Sequence, residues 1–249
     1  NVVQQFSKPG DHVVVFRPVY YPFFPAIEDQ GRVLENCPLI LDEEGYHIDY
    51  DRFDELTQRD ENKLLLFCSP QNPIGRVWSE EELTRLADIC VKNGVTMMSD
   101  EIHSDLIMSD AEHTSMVSLD HPIKDQLIVM TAPSKTFNLA GAGISNILIP
   151  NDDVRAHFEK GLQDHFVHVS NALAYKMTEL AFNKGEAWLD ECLEVIQKNR
   201  DLCYDFFAKQ PKMKAYPLQG TYLLWVDCNG LGLTPKELEH FMTHGAEIF

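Results

Sequence analysis

The sequence predicts an α/β fold, a mostly parallel sheet covered by helices, and three observations carry that expectation. Short apolar runs and amphipathic stretches alternate along the 249 residues, the pattern of repeated β-α-β units. Runs ending at Ser69, Ser99 and Met130 each stop at a polar or charged cluster, and ligands in such sheets collect beyond the carboxyl ends of strands. Between two of these runs, Ser79 with Glu82 three residues later is a capping box, which opens a helix.

Taken in order, residues 13–16 read as a first strand, followed by Arg17 and an aromatic loop holding Tyr20 and Tyr21. Residues 31–41 read as a second extended segment, and the polar stretch 42–52 as a loop. Residues 64–69 are a strand. The helix opened by Ser79 carries the apolar stripe Leu83, Leu86, Ile89 and Cys90 and closes at Asn93-Gly94. Strand 95–99 follows, completing a β-α-β unit that is right-handed by default. After strand 127–130, residues 144–149 read as another strand, 152–165 and 171–183 as helices, and 187–209 as a long helical stretch with apolar positions Leu189, Leu193, Ile196, Leu202 and Phe206. Residues 222–226 read as a strand, and Thr234-Pro235 opens a last helix.

A chain of this length with 44% hydrophobic residues can bury a large core. Its formal charge of −18, from 39 acidic against 21 basic residues, excludes nucleic acid and anionic membrane surfaces as expected partners. Six scattered cysteines without C-x-x-C spacing indicate neither a zinc site nor a disulfide framework, which suits a reducing cytoplasm. No metal site is expected, and His47, His113, His157, His165 and His168 read as surface or loop residues. No apolar stretch reaches 18 residues.

Chemistry concentrates at the three strand ends. Lys135, in Thr-Ala-Pro-Ser-Lys-Thr-Phe-Asn, stands just beyond an apolar strand, where an amine is costly unless chemistry uses it. An amine of lowered pKa attacks an aldehyde, and pyridoxal phosphate (PLP) is a common protein-held aldehyde. Asp100 ends a second run and Asn72 follows the third. A carboxylate, an amide and a lysine suit a pyridine ring: the first pairs with the ring nitrogen, the second with the phenolic oxygen, the third with the aldehyde carbon. Each residue has an ordinary rival role: Lys135 as a snorkelling surface side chain, Asp100 as a loop cap, Asn72 as the shaper of an Asn-Pro turn.

The blocks Pro-Val-Tyr-Tyr-Pro-Phe (18–23), Cys-Ser-Pro-Gln-Asn-Pro-Ile-Gly (68–75), Ser-Asp-Glu-Ile-His-Ser-Asp (99–105) and Ala-Pro-Ser-Lys-Thr-Phe-Asn-Leu-Ala-Gly (132–141) resemble fold-type I PLP enzymes. Within the class I/II aminotransferase superfamily they most resemble the cystathionine β-lyase branch, the MalY/PatB-like carbon–sulfur lyases. The resemblance implies the aspartate aminotransferase-like fold, with a PLP-binding large domain over residues 1–197 and the start of a small α/β domain over 198–249. It also implies that segments beyond both ends supply a phosphate loop and a carboxylate-binding arginine.

By the same resemblance, Lys135 is the catalytic lysine, Asp100 pairs with the pyridine nitrogen, Asn72 and His103 meet the phenolic oxygen, and Tyr20 stacks on the ring. Ser134 meets the phosphate and Tyr21 the substrate. Gly143 stands where many aminotransferases have a basic phosphate ligand, a departure that favours the lyase branch. The implied reaction is β-elimination from L-cystathionine or a related cysteine S-conjugate, yielding pyruvate, ammonia and a thiol, in a homodimer with shared active sites. An aminotransferase using the same lysine, a PLP-holding regulatory or interaction protein, and an inert fragment remain as alternatives.

Overall fold

The computed structural model describes residues 1–43, 45–167 and 172–246. Helix α1 (Val2–Phe6) leads into β1 (His12–Val15), α2 (Phe23–Glu28) and β2 (Val33–Asn36), then a small hairpin of β3 (Ile40–Leu41) and β4 (Tyr46–His47). Helix α3 (Tyr50–Thr57) precedes β5 (Asn62–Cys68), α4 (Glu80–Asn93), β6 (Thr96–Asp100) and β7 (Leu127–Thr131). A one-turn helix α5 (Pro133–Thr136) follows, then β8 (Asn146–Leu148), α6 (Asp152–Asp164), α7 (Ala172–Lys184) and α8 (Glu186–Phe207). The paired strands β9 (Lys214–Ala215) and β10 (Val226–Asp227) and helix α9 (Pro235–His240) complete the order.

Six strands form the main sheet in the order β2-β1-β5-β6-β7-β8. All its pairs are parallel except β7 with β8. Because side chains alternate across a strand, β5 sends Leu65 and Phe67 to one face and Leu64, Leu66 and Cys68 to the other. Helices α3 and α4 cover the first face through Phe53, Leu56, Leu83 and Leu86; α1, α2 and α6 cover the second through Val3, Ile27 and Phe158. A sheet buried on both faces explains why its strands read as continuous apolar runs.

Helix α4 ends as its sequence predicts. Ser79 Oγ accepts from Glu82 N at 3.2 Å, Glu82 Oε2 accepts from Ser79 N at 2.8 Å, and Gly94 closes the helix in the left-handed region at φ +65. Strand β8 lies within the expected 144–149, and Thr234 with Glu237 caps α9 by a second capping box.

Three expectations change. The aromatic loop contains α2, whose Pro25 is tolerated because the first turn of a helix lacks internal N–H partners. The polar stretch 42–52 holds β4 and the start of α3, which Asp49 caps by accepting from Arg52 N at 2.9 Å while Phe53 and Leu56 turn inward. The strand expected over 222–226 shrinks to Val226–Asp227, because Thr221 sits at φ +72 and turns the chain before it can pair. Asn171, expected to begin a helix, and His168 lie outside the described residues. The cysteines Cys37, Cys68, Cys90, Cys192, Cys203 and Cys228 are free. Among the described residues no helix is long and apolar enough to cross a membrane.

Candidate active site

The carboxyl edge of the parallel strands gathers the predicted side chains. Register places Cys68 beside Asp100 and Asp100 beside Met130, so the three strand ends lie level. Asp100 stays in the ladder: its carbonyl accepts from Ser69 N at 3.0 Å, and Glu101 N donates to Met130 O at 2.8 Å. Its carboxylate accepts from Ile102 N at 3.2 Å. Burial pushes that carboxyl up to about 6, with Glu101 adding to the rise and the Ile102 amide and the Lys135 ammonium opposing it.

Lys135 lies in α5, directly after β7, with Pro133 in the first turn. Its amine makes no hydrogen bond or ion pair among the described residues, yet its charge is felt at both Asp100 and His103. Thr136 Oγ1 donates to Asp105 Oδ2 at 2.8 Å, which ties the lysine's turn to the loop after β6. His103 is buried, and neither ring nitrogen has a partner. Burial, with the Lys135 charge second, lowers its pKa to about 4, so its imidazole is neutral at pH 7.

Asn72 is buried in the loop after β5, its side-chain amide free of hydrogen bonds among the described residues. The neighbouring Gln71 Nε2 donates to Phe16 O at 2.9 Å and Pro18 O at 2.7 Å, which locks this loop to the one carrying Tyr20. The Tyr20 ring meets Phe23 edge-on, centroids 5.8 Å apart at 86°, and leans on Tyr21 at 5.9 Å. Tyr21 itself is 74% exposed and stands apart from the buried cluster. Ser134 is half-buried beside Lys135. A cavity of about 570 Å³, lined by Tyr204, Phe207, Lys214 and Leu218 among others, contains none of the predicted site residues.

Sequence reasoning missed the supports. Glu101, fully buried, accepts from Met116 N at 2.9 Å and Ser99 Oγ at 3.0 Å and faces His113 Nε2 at 3.4 Å. His113 is thus a half-buried loop residue that braces the strand end. Asp105 anchors Thr136. Both acids stand inside the block 99–105, on either side of His103, so their signal was a pair of carboxylates beyond the one assigned to the ring nitrogen.

Chemically, the edge offers an amine for a carbonyl carbon, a buried carboxylate for a protonated nitrogen, and an amide and a neutral imidazole for an oxygen. Comparison with known proteins gives this arrangement its context. The sequence matches the profile "Aminotransferase class I and II" over residues 1–243. It is 40% identical to cystathionine beta-lyase PatB of Bacillus subtilis, over 99% of this chain and 64% of that protein. The crystal structure of cystalysin from Treponema denticola, which contains a pyridoxal 5'-phosphate cofactor, superposes with a TM-score of 0.95 at 45% identity, covering 100% of this chain and 63% of that one. A probable aspartate/prephenate aminotransferase of Aquifex aeolicus is 26% identical over 88% of this chain and 55% of its own length. The chain therefore spans a little under two thirds of the length of such relatives, and with its profile match running almost from end to end it belongs to the aminotransferase class I and II family.

Proposed function

We propose that this chain is the PLP-holding part of a carbon–sulfur β-lyase that cleaves L-cystathionine or a related cysteine S-conjugate. The observation that supports it most is that, among the described residues, polar groups with bonding capacity to spare share one strand edge: the free amine of Lys135, the Asp100 carboxylate, which accepts only from Ile102 N, the unbonded Asn72 amide and the orphaned His103 imidazole. Buried polar groups normally find partners, and PLP offers one for each. Lys135 would hold the aldehyde carbon, Asp100 the ring nitrogen, Asn72 and His103 the phenolic oxygen. Tyr20 would stack on the ring face, Ser134 meet the phosphate, and Tyr21 meet the substrate.

Bound there, PLP supplies an electron sink for the pair left behind when the substrate loses its α-proton. The protein's own work is positional and protonic. Asp100 would pair as a carboxylate with the ring nitrogen and keep a proton on it. Lys135 would accept the proton from the substrate Cα. The Cβ–S bond would then break with its electron pair going to sulfur, and water would take the remaining three-carbon unit to pyruvate and ammonia. With L-cystathionine the thiol released is homocysteine.

The division of the chain near Gln197, inside α8, belongs to the same reading, with residues 1–197 as the cofactor domain and 198–249 as the start of the small one. So do a homodimer with shared active sites and a cytoplasmic location. The test supplies protein and PLP with L-cystathionine, with and without a 2-oxo acid. Pyruvate and thiol forming together without the oxo acid, and lost in Lys135→Ala, is the expected result. Amino transfer that requires the oxo acid would make it an aminotransferase. Capture of PLP without either product would leave the regulatory role.

A further inference from the structure

Residues 216–222 form a strap laid across the loops that follow β5 and β6. Gly75 O accepts from Gln219 N at 2.9 Å and Gly220 N at 3.0 Å, and Val77 N donates to Gln219 Oε1 at 3.1 Å. On the other side, Met108 N donates to Gln219 O and Thr221 N to Leu106 O, each at 2.8 Å. The strap is thus sewn both to the loop of Asn72 and to the loop of His103. Thr221 is fully buried at φ +72, a conformation that β-branched residues avoid, and its hydroxyl accepts from Leu223 N at 3.1 Å. Strained backbone that the surroundings over-determine clusters at functional sites.

That turn delivers one side chain to the site. The Tyr222 ring meets the His103 imidazole edge-on, centroids 5.7 Å apart at 74°. His103 is 2% exposed and Tyr222 43%, so the phenol ring is the half-exposed cover of a buried ring. The imidazole has no hydrogen bond to orient it, and a terminal ring torsion has only a broad, roughly two-fold preference of its own.

We propose that Tyr222 is a positioning residue of the site: held by the strap, its ring fixes the orientation of His103 and keeps water from it, so that a neutral ring nitrogen stays free for the cofactor's oxygen. This rests on the functional reading above and adds to it a residue from the far side of the proposed domain boundary. The one charge felt at the imidazole among the described residues is the Lys135 ammonium of α5, with the Tyr222 phenol against the ring. Removing the cover admits water, which favours the protonated imidazole.

The test reads the histidine directly in the PLP-free chain, by nitrogen-15 NMR of the imidazole across pH, with the His103 signal assigned from its loss in His103→Gln. In the wild type the ring should remain neutral down to about pH 4. Tyr222→Phe should leave that midpoint in place, whereas Tyr222→Ala should raise it by about one unit, toward the ordinary histidine value of about 6.5. An unmoved midpoint in Tyr222→Ala, or an equal rise in Tyr222→Phe, overturns the proposal. If Tyr222→Ala does not fold, Tyr222→Thr, which removes the aromatic cover and leaves a small polar side chain, decides by the same criterion. Lys135-dependent capture of PLP by the wild type is measured separately: its absence sinks the functional reading, while an unmoved midpoint alongside normal capture sinks only the role of Tyr222.

Discussion

Asp100 and His103 are neighbours whose burial acts in opposite senses. The Asp100 carboxyl is raised to about 6 and the His103 imidazole lowered to about 4, burial being the leading cause in each. Folding therefore binds an extra proton at Asp100 between its unfolded pKa, about 3.9, and its folded one, and stability from this group is lost as pH rises through that window. His103 behaves inversely: its contribution is present above about 6.5 and is lost as pH falls toward 4. In the PLP-free chain the two slopes offset one another. Asp100→Asn should leave a stability that climbs with pH between 4 and 6, and His103→Gln one that declines. Urea titrations at pH 4.5 and 6.5 check this, each slope change being on the order of 2 kcal/mol. For the loaded protein, Lys135→Ala should abolish reductive trapping of PLP on the chain, read by intact mass; trapping that survives would place the reactive amine elsewhere.

Elements hold these groups through their ends. Helix α4 sets the crossover between β5 and β6, and its capping box satisfies backbone donors that would otherwise lack partners. Ser79→Ala should cost about 1 kcal/mol of unfolding free energy without changing the m-value, as measured by denaturant titration. The one-turn helix α5 is too short to hold itself, so its anchor is the Thr136–Asp105 hydrogen bond. Thr136→Val removes that bond at nearly constant shape. Its expected effect is several-fold weaker PLP capture with only a modest fall in stability; equal capture would show that α5 is held by packing alone.

Across the whole molecule, the loops at the carboxyl edge are fastened to one another. Gln71 joins the Asn72 loop to the Tyr20 loop, and Gly75 receives the strap of residues 216–222. Gly75 sits at φ +71, and a Cβ there would come within 2.6 Å of Leu218 Cδ1 and 3.2 Å of Gly220 O. Gly75→Ala must accept both backbone strain and crowding, so a loss of about 1–3 kcal/mol is expected. Because the strap also carries Tyr222, the same variant should loosen His103. Calorimetry and the histidine titration described above should therefore move together.

The parallel sheet, α4 with both its caps, and the triad Lys135, Asp100 and Asn72 at three successive strand ends were all legible in the sequence, because each depends on local signals: apolar runs, capping residues, and the chemistry of a motif beside a strand end. Helices α2 and α3 were not, since prolines and polar residues mask a buried stripe that only the adjoining sheet makes favourable. Tyr222 read as part of a strand, since a run of Tyr-Leu-Leu-Trp-Val looks extended from within. What turned it toward His103 was a set of hydrogen bonds to loops more than a hundred residues away. Sequence alone therefore determined which groups stand at the strand ends. Tertiary structure decided how they are oriented, kept dry and shifted in pKa, because burial and long-range hydrogen bonding arise only when distant segments pack.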